Sequence, residues 1–297
     1  MARLLLVACS CNLSLTIIQA QTTDPVFPLE GVEIVSDRLG HSAARTGRNM
    51  TIIHSEDIQR LPIHSLDELL RYIPFLETHA RGAFGVQSDI LMRGGTFNQV
   101  LVLVDGMRIN DPLTGHFNSY IPVSLAEISR IEVYRGPASS LYGPDAVGGV
   151  IHILTKNFLP GDVNDNLEGQ VESWYGQHNL FRLNSGIHAS NGRLKLGAGV
   201  SLNRSDGHSL GTDNLKGDFS LGTASLSAAY RISKNLETGF RTAYDHRLFN
   251  ARYFYTSSPL DLSREEIEKW WNQVFLRIRL NPSNTLTLQA AYQSTAD

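Results

Sequence analysis

The side chains able to do chemistry in this sequence do not fall into a reactive pattern. Ten histidines are scattered along the chain, with no His-Glu-x-x-His pair and no other spacing that sets ligands together as a catalytic zinc requires. Gly136 and Gly143 lie seven residues apart, but Pro144 and Asp145 stand where a phosphate-cradling loop needs Lys and Ser/Thr, which argues against a nucleotide site. No Ser/His/Asp arrangement emerges from local context. Cys9 and Cys11 are the only cysteines. The residues suit recognition rather than catalysis, and there is no case for an enzyme.

Met1-Ala-Arg3 is a short positive start, Leu4 to Ile18 is an apolar stretch too short to span a bilayer, and Gln19-Ala20 is a plausible cleavage site. Residues 1–20 therefore read as a signal peptide and the chain as exported. Beyond it no cysteine remains, so disulfides and cysteine-held metals are excluded. A net charge of -3 gives no electrostatic reason to bind nucleic acid. At 297 residues, 42% hydrophobic and 19% charged, the composition is that of a folded chain of about two domains.

Residues 50–157 read as a compact mixed α/β unit. Ser65-Leu-Asp-Glu68 has the form of a capping box, followed by Leu66, Leu69, Leu70 and Ile73 at helical spacing and stopped by Pro74. Strands are expected at 89–92, 100–104, 107–109, 130–134 and 149–155. The Val-rich run Val100 to Val104 suits a strand covered on both faces, and Asp105-Gly106 is a hairpin turn signal.

From residue 167 the hydrophobic period becomes two. Leu236, Phe240 and Tyr244 alternate with Glu237, Arg241 and Asp245, and Val274, Leu276, Ile278 and Leu280 alternate with Gln273, Arg277 and Arg279. About seven such strands are expected up to residue 297. A soluble sandwich also has one apolar face, but two features favour a transmembrane barrel. Tight turns at 190–192, 233–235 and 281–284 alternate with longer polar connections at 205–217 and 248–269. Trp174, Tyr175, Phe181, Tyr230, Tyr244, Trp270 and Trp271 sit at strand ends, as interfacial girdles would. Seven strands cannot close, and an open edge in lipid leaves backbone groups unpaired. The expectation is the start of a longer barrel chain.

Two stretches carry a resemblance: "LMRGGTFNQVLVLVDGMRIND" and "ISRIEVYRGPASSLYGPDAVGGVIHILTK". Arg93-Gly94, Asp105-Gly106, Ile131 to Pro137, Tyr142-Gly143, Ala146 and Gly148-Gly149-Val150 resemble, in order and approximate spacing, the signature of TonB-dependent outer-membrane receptors. The similarity covers about residues 30–157. It implies an α+β plug domain followed by the first strands of an antiparallel transmembrane β-barrel of about 22 strands, in the outer membrane of a Gram-negative bacterium.

The same resemblance implies further roles. Val32, Glu33, Ile34, Val35 and Ser36, within the extension at 21–49, are similar to a TonB box, which pairs with an inner-membrane TonB-type transducer by strand addition. Arg81, Phe84 and Gln87, with Asn110, His116, Phe117 and Asn118, would lie in outward plug loops that meet a small-molecule or metal-chelate ligand such as a ferric siderophore, cobalamin or haem. Arg93, Glu132 and Arg135 would form ion pairs, either between plug and barrel wall or within the plug. Asp206, Asp213 and Asp218 share one loop and are a calcium candidate by analogy with some cobalamin receptors; otherwise no cofactor is expected. The rival from another class is a passive plugged barrel or surface-binding protein.

Overall fold

The computed structural model describes residues 49–297 apart from 83, 85, 112–114, 161–164, 212–214, 259 and 282–283, and leaves the side chain of Phe117 undescribed. Val32, Glu33, Ile34, Val35 and Ser36 lie outside the described residues, as does Asp213.

The first half contains β1 (Met50–His54), α1 (Ser55–Arg60), α2 (Leu66–Leu70), β2 (Leu76–Ala80), β3 (Ser88–Met92), β4 (Val100–Val104), β5 (Met107–Arg108), β6 (Ile128–Arg135), α3 (Ser139–Tyr142) and β7 (Gly149–Thr155). Five strands form a sheet in the order β1-β6-β7-β4-β5, and β2 pairs separately with β3. Strand β4 runs parallel to β7, and the remaining pairs are antiparallel. Every residue of β4 is buried. Val100, Val102 and Val104 pack with Ile151, Ile153, Leu69 and Leu70 on one side. Leu101 and Leu103 pack with Val150 and Tyr134 on the other. This two-sided burial is why the run has no polar alternation.

The turn after β4 is as tight as its sequence suggests. Asp105 and Gly106 have φ of 49° and 87°, and Val104 pairs directly with Met107, the geometry of a two-residue hairpin with positive φ at both central positions. The Asp105 carboxylate accepts hydrogen bonds from the Thr155 N–H and Oγ1, both at 2.7 Å. It thereby ties the turn to the end of β7. The box at Ser65 does not close as expected. Ser65 is the N-cap of α2 but makes no side-chain cap bond. Glu68 instead reaches one residue further back, accepting from the His64 N–H at 2.8 Å. The sequence pattern also misses α1 and α3, each too short to show a helical period.

The second half is a seven-stranded antiparallel sheet in sequence order: β8 (Asn166–Gly176), β9 (Leu180–Asn191), β10 (Leu194–Ser205), β11 (Phe219–Ser233), β12 (Leu236–Asn250), β13 (Arg264–Asn281) and β14 (Asn284–Ala296). One face turns to the first domain and buries Arg241, Asp245, Lys269 and Gln273, while Val171, Leu226, Phe240 and Val274 on the opposite face are exposed. On β13 the outer row from Trp270 to Leu280 is apolar apart from Asn272. About ten residues at ~3.3 Å, tilted by ~40°, give a band of roughly 25 Å, the height of a barrel's lipid belt. At its upper edge Tyr244 and Trp270 are cross-strand partners with ring centroids 4.7 Å apart.

Two aromatics expected in the girdles point the other way. Trp271 is 1% exposed and joins the core of the first domain, and Trp174 packs edge-on against His64 at 4.8 Å. Adjacent residues of a strand face opposite sides, so only one of Trp270 and Trp271, and one of Trp174 and Tyr175, can meet lipid.

Burial raises the Asp105 carboxyl from the ordinary aspartate value of 3.8 to about 6, against the lowering effect of Arg241 and of the Thr155 hydrogen bonds. A folded value above the unfolded one means this contribution is complete below about pH 3.8 and is lost as pH rises through about 6. Asp105→Asn carries no buried charge and can still accept from the Thr155 N–H while its amide donates to Thr155 Oγ1. It is expected to strengthen the turn at pH 8 by on the order of 2 kcal/mol and to change little near pH 4, read from hydrogen-exchange protection of the Thr155 amide at matched intrinsic rates.

Candidate functional site

At one end of the first domain the loop joining β2 to β3 is closed by the Arg81 N–H donating to the Gln87 carbonyl at 2.8 Å. Asp89, just inside β3, faces this loop. Its carboxylate lies 3.0 Å from His116 Nδ1 and 3.6 Å from the Arg81 guanidinium. His116 opens a short 3-10 turn, His116–Ser119, and its ring lies 4.2 Å from that of Phe97. The segment 251–263 between β12 and β13 meets the same surface. Arg81 donates to the Phe254 carbonyl and stands over the Tyr255 ring at 5.0 Å. Gln87 donates to the Tyr255 hydroxyl at 3.0 Å. Burial, aided by a hydrogen bond to Glu265, pushes that hydroxyl up to about 12. The cluster brings together a cation, a carboxylate, an imidazole and aromatic faces, groups that can meet a ligand by charge, hydrogen bond and stacking.

The other polar residues expected to contact ligand are engaged differently. Asn110 is buried, accepting from the Val102 N–H at 2.7 Å and donating to the Val100 carbonyl at 2.9 Å. Asn118 likewise accepts from the Asp111 N–H at 3.1 Å and donates to the Phe97 carbonyl at 3.3 Å. Their amides hold backbone. Phe84 lies against the strand wall, where Arg182 stands over its ring at 3.7 Å.

Of the expected ion pairs, Glu132 accepts from Arg130 Nε at 2.8 Å within β6. Arg135 donates to the Pro74 carbonyl and to Thr51 Oγ1, at 3.2 and 2.8 Å. Arg93, exposed in a turn with φ of 55°, has no ion-pair partner among the described residues. Asp218 is held by Arg264 through two hydrogen bonds of 3.1 and 2.8 Å, and Asp206 accepts from Asn179 at 2.7 Å. Among the described residues no group of three or more His, Cys, Asp or Glu could hold a metal ion.

A further contact joining the two halves involves residues the sequence did not single out. Glu127 ends a 3-10 turn, Leu125–Glu127, capped by Ser124. It accepts from the Ser124 N–H at 3.0 Å and from Ser225 Oγ at 2.5 Å, and lies 3.1 Å from an Arg241 nitrogen. Arg241 is fully buried and donates to the Pro122 carbonyl at 3.2 Å. Nearby, Lys269 donates to the carbonyls of Ile109 and Tyr120 at 3.4 and 3.2 Å. Gln273 and Gln289 both donate to the Asp105 carbonyl, at 3.1 and 3.0 Å.

A compact α+β domain seated on the inner face of a one-sided apolar sheet is the geometry of a plugged barrel, and residues 42–150 match the family described as "TonB-dependent Receptor Plug Domain". These residues thus form a plug domain of the kind found in TonB-dependent receptors. It is 34% identical over 155 residues to the vitamin B12 transporter BtuB of Vibrio vulnificus, covering 52% of this chain and 23% of that one. It is 36% identical over 129 residues to BtuB of Vibrio cholerae, covering 43% and 21%. Among solved structures, the ferric yersiniabactin uptake receptor FyuA of Yersinia pestis superposes with a TM-score of 0.65 at 17% identity, over 86% of this chain and 42% of that one. The siderophore receptor PirA of Pseudomonas aeruginosa gives 0.60 at 23%, over 83% and 40%. These structural likenesses concern the fold. The chain thus spans under a quarter of the length of the curated relatives and about two fifths of the solved receptors.

Plug and wall are held by a buried ion pair whose loss on one side strands a charge. Glu127→Gln is expected to weaken plug seating by about 3–5 kcal/mol. Replacing Glu127 by Gln and Arg241 by Met together should recover part of that loss. Exchange protection of the 122–128 amides, measured in both variants, checks the pair.

Proposed function

We propose that the full-length protein is an outer-membrane importer of a scarce small molecule or metal chelate, energised by a TonB-type transducer acting on residues 32–36. The observation that carries this reading is the direct docking of the plug's outer loop onto the segment between β12 and β13. Arg81 and Gln87 of the plug hold Phe254 and Tyr255 of the wall. A ligand that inserts there competes with plug–wall contacts, and so can bias the plug between two seatings. The cargo proposed first is a cobalamin, because the sequence relatives are named as vitamin B12 transporters. Ferric siderophores come next, supported by the similarity to receptors named for them.

The segment Val32 to Ser36 is β-rich, and strand addition to a transducer needs its backbone N–H groups, which proline lacks. Cells carrying the full-length gene are expected to take up labelled cyanocobalamin, and Ile34→Pro should abolish uptake while leaving cell-surface binding intact. Undiminished uptake by that variant overturns energised import and leaves a passive plugged barrel. Arg81→Ala is expected to weaken cyanocobalamin binding about tenfold, corresponding to one lost charge-assisted hydrogen bond.

A further inference from the structure

Arg182 lies on the inner face of β9 and is only 5% exposed, yet its Nε and one terminal nitrogen make no hydrogen bond among the described residues. Buried guanidinium donors are normally satisfied, because each left unmade forfeits the hydration it had in water. Asp67, Glu68 and Glu172 contribute to its electrostatic surroundings, but none closes on it as an ion pair. Each has another partner: Asp67 lies 4.0 Å from Arg71, Glu68 accepts from the His64 N–H, and Glu172 accepts from Trp174 Nε1. What covers Arg182 is the ring of Phe84, 3.7 Å from the guanidinium carbon. An aromatic face attracts the cation but offers no lone pair in the plane of the N–H groups.

Phe84 is itself held under tension. Its backbone has φ of 57°, unusual for a bulky side chain. Its carbonyl accepts from Asn203 Nδ2 at 2.6 Å, and its ring lies 6.1 Å from that of Phe219. Asn203 stands directly opposite Arg182 in the β9–β10 register. Moving Phe84 away would therefore free three donors on adjacent strands at once: two from Arg182 and one from Asn203. A planar fork beside an amide suits a group with two or more anionic oxygens.

We propose that Arg182 and Asn203 form an anion-binding subsite that Phe84 of the plug covers, and that a carboxylate or phosphate group of the ligand occupies it by displacing Phe84. The subsite deepens the import reading by assigning an anionic group to the cargo and a place for it on the wall rather than on the plug surface. It also gives the ligand a differential interaction with two plug positions, the condition for any ligand-driven shift.

Inorganic phosphate is the probe, titrated into detergent-solubilised full-length protein and followed by phosphorus NMR line broadening. Phe84→Ala removes the ring over Arg182, though not the backbone carbonyl that holds Asn203, and should tighten phosphate binding at least about tenfold over the wild type, while Arg182→Gln should abolish it. Arg182→Lys, which keeps the charge without the fork, should fall between them and guards against misfolding of the Gln variant. Phosphate that binds wild type, Phe84→Ala and Arg182→Gln alike is an adventitious ion only and overturns the subsite, as does weaker binding by Phe84→Ala. Cyanocobalamin added to the Phe84→Ala protein distinguishes the ligand's own group from a free anion: competition with phosphate places the cargo in the subsite, and its absence overturns that assignment. Because phosphate binding is read without transport, loss of uptake with the anion site intact would sink the import reading alone.

Discussion

Several of the contacts that join plug to wall meet at one carboxylate. Glu127 caps its own turn through the Ser124 N–H and simultaneously meets Arg241 and Ser225 on two barrel strands. A buried ion pair contributes little net stability, since the desolvation of both ions offsets most of their attraction. Its value lies in discrimination. A plug seated one strand away, or rotated by a residue, would leave Arg241 charged and unpaired in a dry site. The cost of that error is larger than the benefit of the correct pairing, which makes the pair a device for register.

The wall is shaped to accept it. A side chain at Gly199 would collide with the Glu127 carboxylate, and a Cβ at Gly186 would come within 2.7 Å of the Ala126 Cβ. Glycine in a strand interior weakens the strand, so its presence on adjacent strands at the same height marks a close approach of another backbone. Other polar contacts flank it: Lys269, Gln273 and Gln289 grip plug carbonyls, and Asn157 donates to Ser227 at 2.7 Å. Water can replace each of these bonds when the two surfaces part. Apolar patches stand beside them, with Val86 and Tyr120 of the plug against Phe219, Phe249 and Ile267, and Trp271 in the plug core. The apolar patches resist the same separation, because it would expose hydrocarbon.

The parts of this architecture that were legible in the sequence are those whose information is local. Strand β4 and its turn could be read because a two-sided buried run and an Asp-Gly pair are adjacent in the chain. The seven strands could be read because a period of two repeats over many residues. Glu127 and Arg241 are 114 residues apart, and nothing beside either one marks it as a partner for the other. Asn110 and Asn118 looked like ligand groups because polar residues in a loop usually face water, whereas here their amides complete the backbone of a short buried segment. The two misplaced tryptophans were decidable in principle. The alternation that identified the strands also requires Trp270 and Trp271 to face opposite sides, and only the compositional habit of grouping aromatics hid it.

The polar seam and the outer cluster are mechanically connected through the same strands. Strand β12 carries Arg241 on its inner face and leads into the segment bearing Phe254 and Tyr255, while β13 returns from it carrying Lys269 and Gln273. On the plug side, the turn holding Asp105 and the segment that ends in His116 are separated by few residues. On the wall side, a change at the outer cluster therefore reaches the contacts that seat the plug along the paired strands β12 and β13. Stiff strands transmit displacement, and polar contacts convert it into bonds exchanged with water.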